Sequence, residues 1–201
     1  MNIFFSSDHH FFHSNILLPN YADRPFSSLD EMHKELIIRW NKKVQPADKI
    51  YVIGDFCFGT VDKIKSILSE LNGYKILILG NHDLNKDKML EAGFDEVHSQ
   101  IFLDIAGELV LLNHYPYRPT QEQIDSMKSD PNSYQLKNLS RRPLDNGQWL
   151  LHGHIHQERT QLDKMINLSV EMWDYSPVAI QTIEKMIKGG PMHLNQRIRD
   201  I

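Results

Sequence analysis

Residues 74–79, YKILIL, form an aliphatic run broken only by Lys75, and Gly80 stops it. A run of this length and composition predicts a strand in a sheet that is covered on both faces. The chemistry changes at once after it: Gly80, Asn81, His82 and Asp83 follow in a row. Glycine lets a chain turn sharply and lets a ligand come close to the backbone. In open α/β sheets, ligands sit beyond the carboxyl ends of strands. Asn81 and His82 are therefore delivered to the place where a site is expected.

The rest of the chain repeats the arrangement. Residues 2–7 predict a first strand that runs into Asp8, His9 and His10. Ser28 to Glu31 fits a capping box, and Leu29, Met32, Leu36, Ile37 and Trp40 then keep helical spacing. Residues 50–53 predict a second buried strand, which ends in Gly54 and Asp55. Thr60 caps a helix whose inner face is Val61, Ile64, Ile67, Leu68 and Leu71, and Gly73 stops it. A short helix is expected at 85–92. Strands at 97–105 and 108–112, joined by Ala106 and Gly107, predict a hairpin that ends in Asn113 and His114. Residues 148–151 resume a strand and lead to His152, Gly153, His154 and His156, and another strand is expected at 165–170. Ile180, Ile183, Met186 and Ile187 suit a closing helix. Alternating strands and helices predict an α/β domain.

No repeat or linker divides the chain, so residues 1–201 are expected to form a single domain. Residues 115–147 differ in character: Pro116, Pro119, Pro131 and Pro143 interrupt a polar stretch. This segment predicts a loop-rich lid, with a short helix at 120–128. Residues 190–201 are expected to be a surface tail.

The totals narrow the function classes. The net charge of −4 gives no global basic field, which argues against extended nucleic-acid binding. The one cysteine, Cys57, excludes an internal disulfide framework and a thiolate zinc site, and is expected to be a buried inert thiol. No run approaches the roughly 18 apolar residues that cross a bilayer. Residues 1–5 are too short and lack the basic flank of a signal peptide, so a cytoplasmic protein is expected. Eleven histidines are the unusual count. Five predicted strand ends offer Asp8 with His10, Asp55, Asn81, His114, and His154 with His156. A nitrogen and oxygen donor set without sulfur suits manganese, iron, nickel or zinc better than magnesium or calcium.

Asp8-x-His10, Gly54-Asp55, Gly80-Asn81-His82-Asp83, His114 and Gly153-His154-x-His156 occur in the order found in calcineurin-like metallophosphoesterases, and the chain resembles that family over residues 3–156. The resemblance implies a four-layer α/β/β/α sandwich with two mixed sheets and a binuclear site at the strand ends. It implies that Asp8, His10, Asp55 and His156 hold one divalent ion, manganese foremost. Asp55 would bridge to a second ion, completed by Asn81, His114 and His154. A hydroxide between the ions would be the nucleophile, and His82 the acid at the leaving group.

Departures from subfamily patterns bear on the substrate. Protein serine/threonine phosphatases and diadenosine tetraphosphatases carry Asp-Arg-Gly shortly after the second-motif aspartate. Here Phe56, Cys57, Phe58 and Gly59 follow Asp55. UDP-sugar hydrolases of the lipid-A pathway have arginine where His82 stands, and small phosphodiesterases of the family commonly have cysteine. The resemblance favours a small bacterial or phage-type phosphoesterase acting on a phosphodiester of a nucleotide or similar small molecule. A phosphomonoester, or a short single strand for a nuclease, are the alternatives. A non-catalytic scaffold of this fold is disfavoured, because every ligand position is filled.

Other residues carry weaker expectations. His9 is expected to face away from the metals, and His13 either approaches the substrate or makes a structural hydrogen bond. Asp83 either orients His82 or caps the following helix. His152 belongs to its strand, and His33, His98 and His193 are expected at the surface. Phe56, Phe58 and Trp149 are expected in the core. Arg24, Arg118, Arg141 and Arg142 lie in loops, and at least one is expected to reach a substrate phosphate.

Overall fold

The computed structural model describes residues 1–127, 138–156 and 160–194. In chain order the first half contains β1 (Ile3–Ser6), α1 (Leu29–Lys43), β2 (Lys49–Ile53), α2 (Val61–Leu68), β3 (Tyr74–Ile78), α3 (Lys86–Ala92) and β4 (Glu96–His98). There follow β5 (Ile101–Ile105), β6 (Glu108–Leu112), α4 (Gln121–Met127), β7 (Trp149–His152), β8 (Gln161–Asp163), β9 (Met165–Asn167), β10 (Val178–Ala179), α5 (Ile180–Gly189) and β11 (Met192–Leu194).

These strands make two mixed sheets. The five-stranded sheet has the order β10-β1-β2-β3-β4 and the six-stranded sheet the order β11-β8-β9-β7-β6-β5. In the first sheet β1, β2, β3 and β4 run parallel and β10 runs antiparallel on the edge. In the second, β6, β7 and β9 run parallel, flanked by antiparallel partners. The aliphatic runs are thus accounted for: the first sheet is buried on both faces. Phe4, Ile50, Val52 and Leu77 pack against Met32, Leu36 and Trp40 of α1 and Ile64, Ile67 and Leu68 of α2. Phe5, Tyr51, Ile53, Ile76 and Ile78 face the other way, toward Val110, Leu112, Trp149, Leu151 and Ile166 of the second sheet. The two-residue period of a strand sorts neighbouring residues into these two cores, and a slip of one residue would exchange them.

Local chemistry explains the helix starts. Ser28 accepts from the Glu31 N–H at 3.2 Å, as the capping box predicts. The return bond goes to Ser27, whose N–H donates to Glu31 Oε2 at 2.6 Å, not to Ser28 itself. Thr60 caps α2 through the Lys63 N–H.

The expected hairpin strand at 97–105 is two strands in different sheets. Val97 pairs with Leu77 in the first sheet, whereas Ile101–Ile105 pairs with β6 in the second. The chain changes sheets at Ser99 and Gln100, and the apolar alternation on either side concealed the crossing. The strand expected at 165–170 ends at Asn167, and Val170–Trp173 forms a buried 3-10 turn. The expected tail begins with β11, paired antiparallel with β8, and residues 195–201 lie outside the described residues. The short helix expected at 120–128 is α4, with Ile124 buried and position 128 outside the described residues. Among the described residues no helix is long and apolar enough to cross a membrane.

Candidate metal centre and active site

The carboxyl ends of β1, β2, β3, β6 and β7 meet at one edge of the two sheets. The backbone there is unusual. Asp8, His10, Asp55, His154 and His156 all have φ between 48° and 71°, the left-handed region. Non-glycine residues are uncommon there, and each costs on the order of 1–3 kcal/mol, a cost that persists only where the surroundings hold the conformation. Here the hold comes from other strand ends: the Asp8 N–H donates to Gly54 O, and the His10 N–H to Asp55 O, each at 3.0 Å.

The turns aim two groups of donors inward. Asp8, His10 and His156 form one group and Asp55, His114 and His154 the other, each with one donor atom per residue lying within 4.8 Å of the others. His10 Nε2 lies 3.8 Å from Asp8 Oδ1 and 3.6 Å from Asp55 Oδ2. His114 Nε2 lies 3.4 Å from Asp55 Oδ2 and 3.2 Å from Asn81 Oδ1. Two bonds of about 2.1 Å meeting at a tetrahedral angle set their donor atoms about 3.4 Å apart, so this spacing suits a shared cation. His10 Nε2 is buried with no hydrogen-bond partner among the described residues. A buried polar atom without a partner is costly, and a cation would satisfy it.

The glycines of the motifs have a steric purpose. A Cβ on Gly80 would strike the Asp55 carboxylate, and one on Gly153 would strike Ser7 Oγ and the Asp8 carboxylate. A Cβ on Gly54 would lie 2.7 Å from His114 Cγ. Only Gly54 has a positive φ, so Gly80 and Gly153 are needed for close approach and not for a turn. Gly153→Ala is therefore expected to displace Asp8 and sharply lower bound metal, whereas Gly189→Ala, whose Cβ meets only Met192 Cε at 3.6 Å, should be near neutral. Elemental analysis and Tm of both variants check this, and a Gly153→Ala protein with normal metal content would refute it.

Residues 1–170 match the calcineurin-like phosphoesterase superfamily domain. The chain belongs to this superfamily. It is 33% identical over 199 residues to protein MJ1445 of Methanocaldococcus jannaschii, covering 94% of this chain and 92% of the relative. It is 28% identical over 196 residues to the gene 66 protein of Mycobacterium phage L5, covering 86% and 87% of the two chains. The crystal structure of AQ665 from Aquifex aeolicus superposes with a TM-score of 0.67 at 30% identity, covering 92% of this chain and 98% of that one. The protein is a metal-dependent phosphoesterase, a hydrolase of α/β fold.

A second set of residues holds the donors of this phosphoesterase in place. The His114 Nδ1–H donates to Ile53 O at 2.9 Å, which leaves Nε2 for the cation. The His156 Nδ1–H donates to Glu171 Oε1 at 2.9 Å. Glu171 is fully buried and paired with Arg24, whose Nη2 lies 2.7 Å from it. Asp8 Oδ2 accepts from Ser7 Oγ at 2.7 Å and Ser169 Oγ at 2.8 Å, the His154 backbone N–H donates to both carboxylate oxygens at 3.0 and 3.2 Å, and Oδ1 also faces His10. Ser169 and Glu171 lie in the chain beyond the motifs, and nothing in their sequence context marked them. The electrostatics follow. Burial works against a charge on Asp55, but His114, His10 and His82 hold its carboxyl far below the usual range. Burial likewise opposes a charge on His114, yet Asp55 outweighs it and pushes the imidazole up to about 10. Burial and the neighbouring His114 hold His154 down at about 3. Asp55 thus draws positive charge, which fits a cation-binding centre, whereas burial raises the Asp8 carboxyl above its ordinary value.

Several expectations change. Arg24 does not face a substrate: its side chain is fully buried and donates to Glu171, to His9 O at 2.6 Å and to Asp8 O. Asp83 neither caps α3, which Asn85 does, nor pairs with His82. Its carboxylate accepts from the N–H groups of Asp55 and Phe56, each at 2.9 Å, and of Gly80 at 2.8 Å, clamping two strand ends together. Burial and the nearby Asp55 push this carboxyl up to about 6. His33 is buried, and its Nε2 accepts from the Phe12 N–H at 2.9 Å. Phe58 is 45% exposed, whereas Phe56 and Trp149 are core residues as expected.

His9 and Cys57 lie where the sequence reading places them, and the other named residues take the positions that follow. His9 is buried against Trp40 and Phe56, outside both donor groups. Cys57 is buried, and burial pushes its thiol up to about 12, an unreactive range. His82 Nε2 lies 4.0 Å from Asp55 Oδ2, at the rim of the site. The ring of His13 lies 5.3 Å from that of His10 and 5.8 Å from that of His82. Arg141 donates to Tyr115 Oη at 3.2 Å, and the Tyr115 ring lies against His114 and His154. Arg118 and Arg142 line a cleft with Tyr117, His152 and Ile155, beside the strand end that carries His154 and His156.

Proposed function

We propose that this phosphoesterase is a two-metal phosphodiesterase of a nucleotide or similar small molecule, with manganese as the working ion. The observation that best supports this reading is the position of Asp55 Oδ2, 3.6 Å from His10 Nε2 and 3.4 Å from His114 Nε2. One carboxylate oxygen is thereby shared by both donor groups. In this reading Asp8, His10, Asp55 and His156 hold one ion, and Asp55, Asn81, His114 and His154 hold the other. When bound, such a pair supplies Lewis acidity toward the phosphoryl oxygens and an activated water. The chain's own residues do the rest. Asp55 Oδ1 accepts the His82 N–H at 2.9 Å, which sets the imidazole beside the centre while its side chain remains 36% exposed. From there His82 donates a proton to the departing oxygen. The net charge of −4 supports a small substrate over extended nucleic acid, and the lone buried Cys57 is compatible with a cytoplasmic setting.

The test strips the protein of metal, restores manganese, nickel or zinc, and offers p-nitrophenyl monoesters and diesters, cyclic nucleotides and short oligonucleotides. The reading predicts that chelation abolishes activity, that manganese is among the ions restoring it, and that diesters are preferred. Full activity in protein verified as metal-free, or a preference for monoesters, would overturn it.

In the same reading the described parts of the segment 115–147, residues 115–127 and 138–147, form a wall beside the centre, and residues 128–137 lie outside the described residues. Their two ends are joined, since the Arg118 N–H donates to Pro143 O at 2.8 Å and Arg141 to Tyr115. Replacing 124–138 with a glycine-serine linker is expected to leave metal bound and to lower kcat/KM for large substrates far more than for a minimal p-nitrophenyl ester. A uniform loss on every substrate would assign the segment to the fold instead.

A further inference from the structure

Phe58 and Tyr21 are 45% and 54% exposed, although Phe58 directly follows the buried stretch 50–57. Single exposed aromatics are ordinary. These are not single. The His13 ring lies 4.8 Å from Phe58 and 6.0 Å from Tyr21, and Phe58 lies 5.5 Å from His82. His13 and His82 in turn lie 5.3 and 5.5 Å from His10, a residue of the first donor group. The rings therefore form a continuous path outward from the metal centre, first His13 and His82, then Phe58 and Tyr21.

The exposure of Phe58 is not that of a frayed loop. Its N–H donates to Phe11 O at 2.7 Å, and the preceding residue, Cys57, forms a β-bridge with Phe11. The Tyr21 N–H is likewise tied to Leu18 O at 2.9 Å. A pinned backbone presents each ring to solvent. His13 Nδ1, at the centre of the group, is buried with no hydrogen-bond partner among the described residues. The surface thus combines exposed π-faces with an unused polar atom, next to the residue assigned to the leaving group.

We infer that Phe58, Tyr21 and His13 form a stacking wall that selects phosphoesters whose leaving arm carries a planar aromatic ring, either an aryl group or a nucleobase. This rests on the proposed phosphodiesterase reading, in which His82 marks the leaving side. An aromatic wall stacks any flat ring and reads its hydrogen-bonding edge weakly, so the preference should be for flatness over base identity.

The test uses phosphonates, whose carbon–phosphorus bond the reaction does not break. Affinities of manganese-loaded protein for methylphosphonate, benzylphosphonate and the phosphonate analogue of adenosine 5′-monophosphate are measured by calorimetry. Stacking on an aromatic side chain predicts that the ring-bearing ligands bind roughly 5- to 100-fold more tightly than methylphosphonate. Phe58→Ala and Tyr21→Ala, both at exposed positions, should erase most of that ratio, Phe58→Trp should keep it, and Phe58→Leu should keep only part. A larger gain for the adenosine analogue than for benzylphosphonate identifies the ring as a nucleobase, and equal gains identify it as any aryl group. Equal binding of all three ligands to the unsubstituted protein, or a ratio unchanged by Phe58→Ala with Tyr21→Ala, overturns the inference while leaving the phosphodiesterase reading intact. Failure of all three to bind likewise overturns the inference, and the phosphodiesterase reading then stands or falls on its own panel of diesters and monoesters.

Discussion

Asparagine at position 55 is expected to leave the protein folded but close to metal-free and inactive. The side chains are nearly isosteric, so packing is preserved, and the consequence lies in which atom faces which group. Asp55 Oδ1 accepts the His82 N–H at 2.9 Å, and an asparagine keeps that bond only by placing its carbonyl oxygen there. The amide nitrogen then replaces Oδ2, between His10 Nε2 and His114 Nε2. An N–H donor would point at the position where a cation binds, and the shared negative charge would be gone. Loss of an outer-shell partner typically costs 10- to 100-fold in metal affinity, so removal of this shared ligand should cost more than about 100-fold. Elemental analysis and turnover measure it, with His13→Ala expected to retain both ions. Two ions per chain with a near-normal rate in Asp55→Asn would show that the bridging assignment is mistaken.

Removing the His82 imidazole should give the opposite pattern: metal retained, chemistry lost. Its backbone N–H, not its ring, holds Asp55, so alanine keeps that hydrogen bond. The ring belongs to neither donor group, and its Nε2 stands 4.0 Å from Asp55 Oδ2. His82→Ala is expected to lower kcat by roughly 10²- to 10⁴-fold on esters with poor leaving groups. The deficit should shrink for p-nitrophenolate, which departs with little help from an acid. A loss of the same size across leaving groups would argue that His82 positions the phosphoryl group instead.

Much of this was legible in the sequence. Tyr74 to Leu79 reads as a buried strand because an aliphatic run must be covered on both faces, and β3 lies between β2 and β4 with a packed core on either side. The motif residues were legible for a related reason. Glycine beside an aspartate, asparagine or histidine at a strand end is a local arrangement, and the steric need for Gly80 and Gly153 is met within the site itself. The sequence reading puts Asp8, His10, Asp55, Asn81, His114, His154 and His156 at strand ends, and the fold brings those strand ends together at one edge.

What the sequence by itself determined is the order of strands and helices and the identity of groups whose roles depend on their immediate neighbours. Only the tertiary structure decided the rest. The two-residue strand β10, the sheet change after His98 and the pairing of β11 with β8 draw their stability from partners far away in the chain, so the local pattern at 97–105 could not separate one strand from two. Arg24 read as a loop cation because its partner, Glu171, is 147 residues away, and the pair can persist uncovered by water only because each neutralises the other. Asp83 read as a helix cap because capping is the local alternative, whereas the N–H groups of Asp55 and Phe56 that it accepts come from another strand. Phe58 read as core because an aromatic residue lowers its free energy by burial wherever cover exists, and whether cover exists is set by neighbours that the chain brings, or does not bring, from elsewhere.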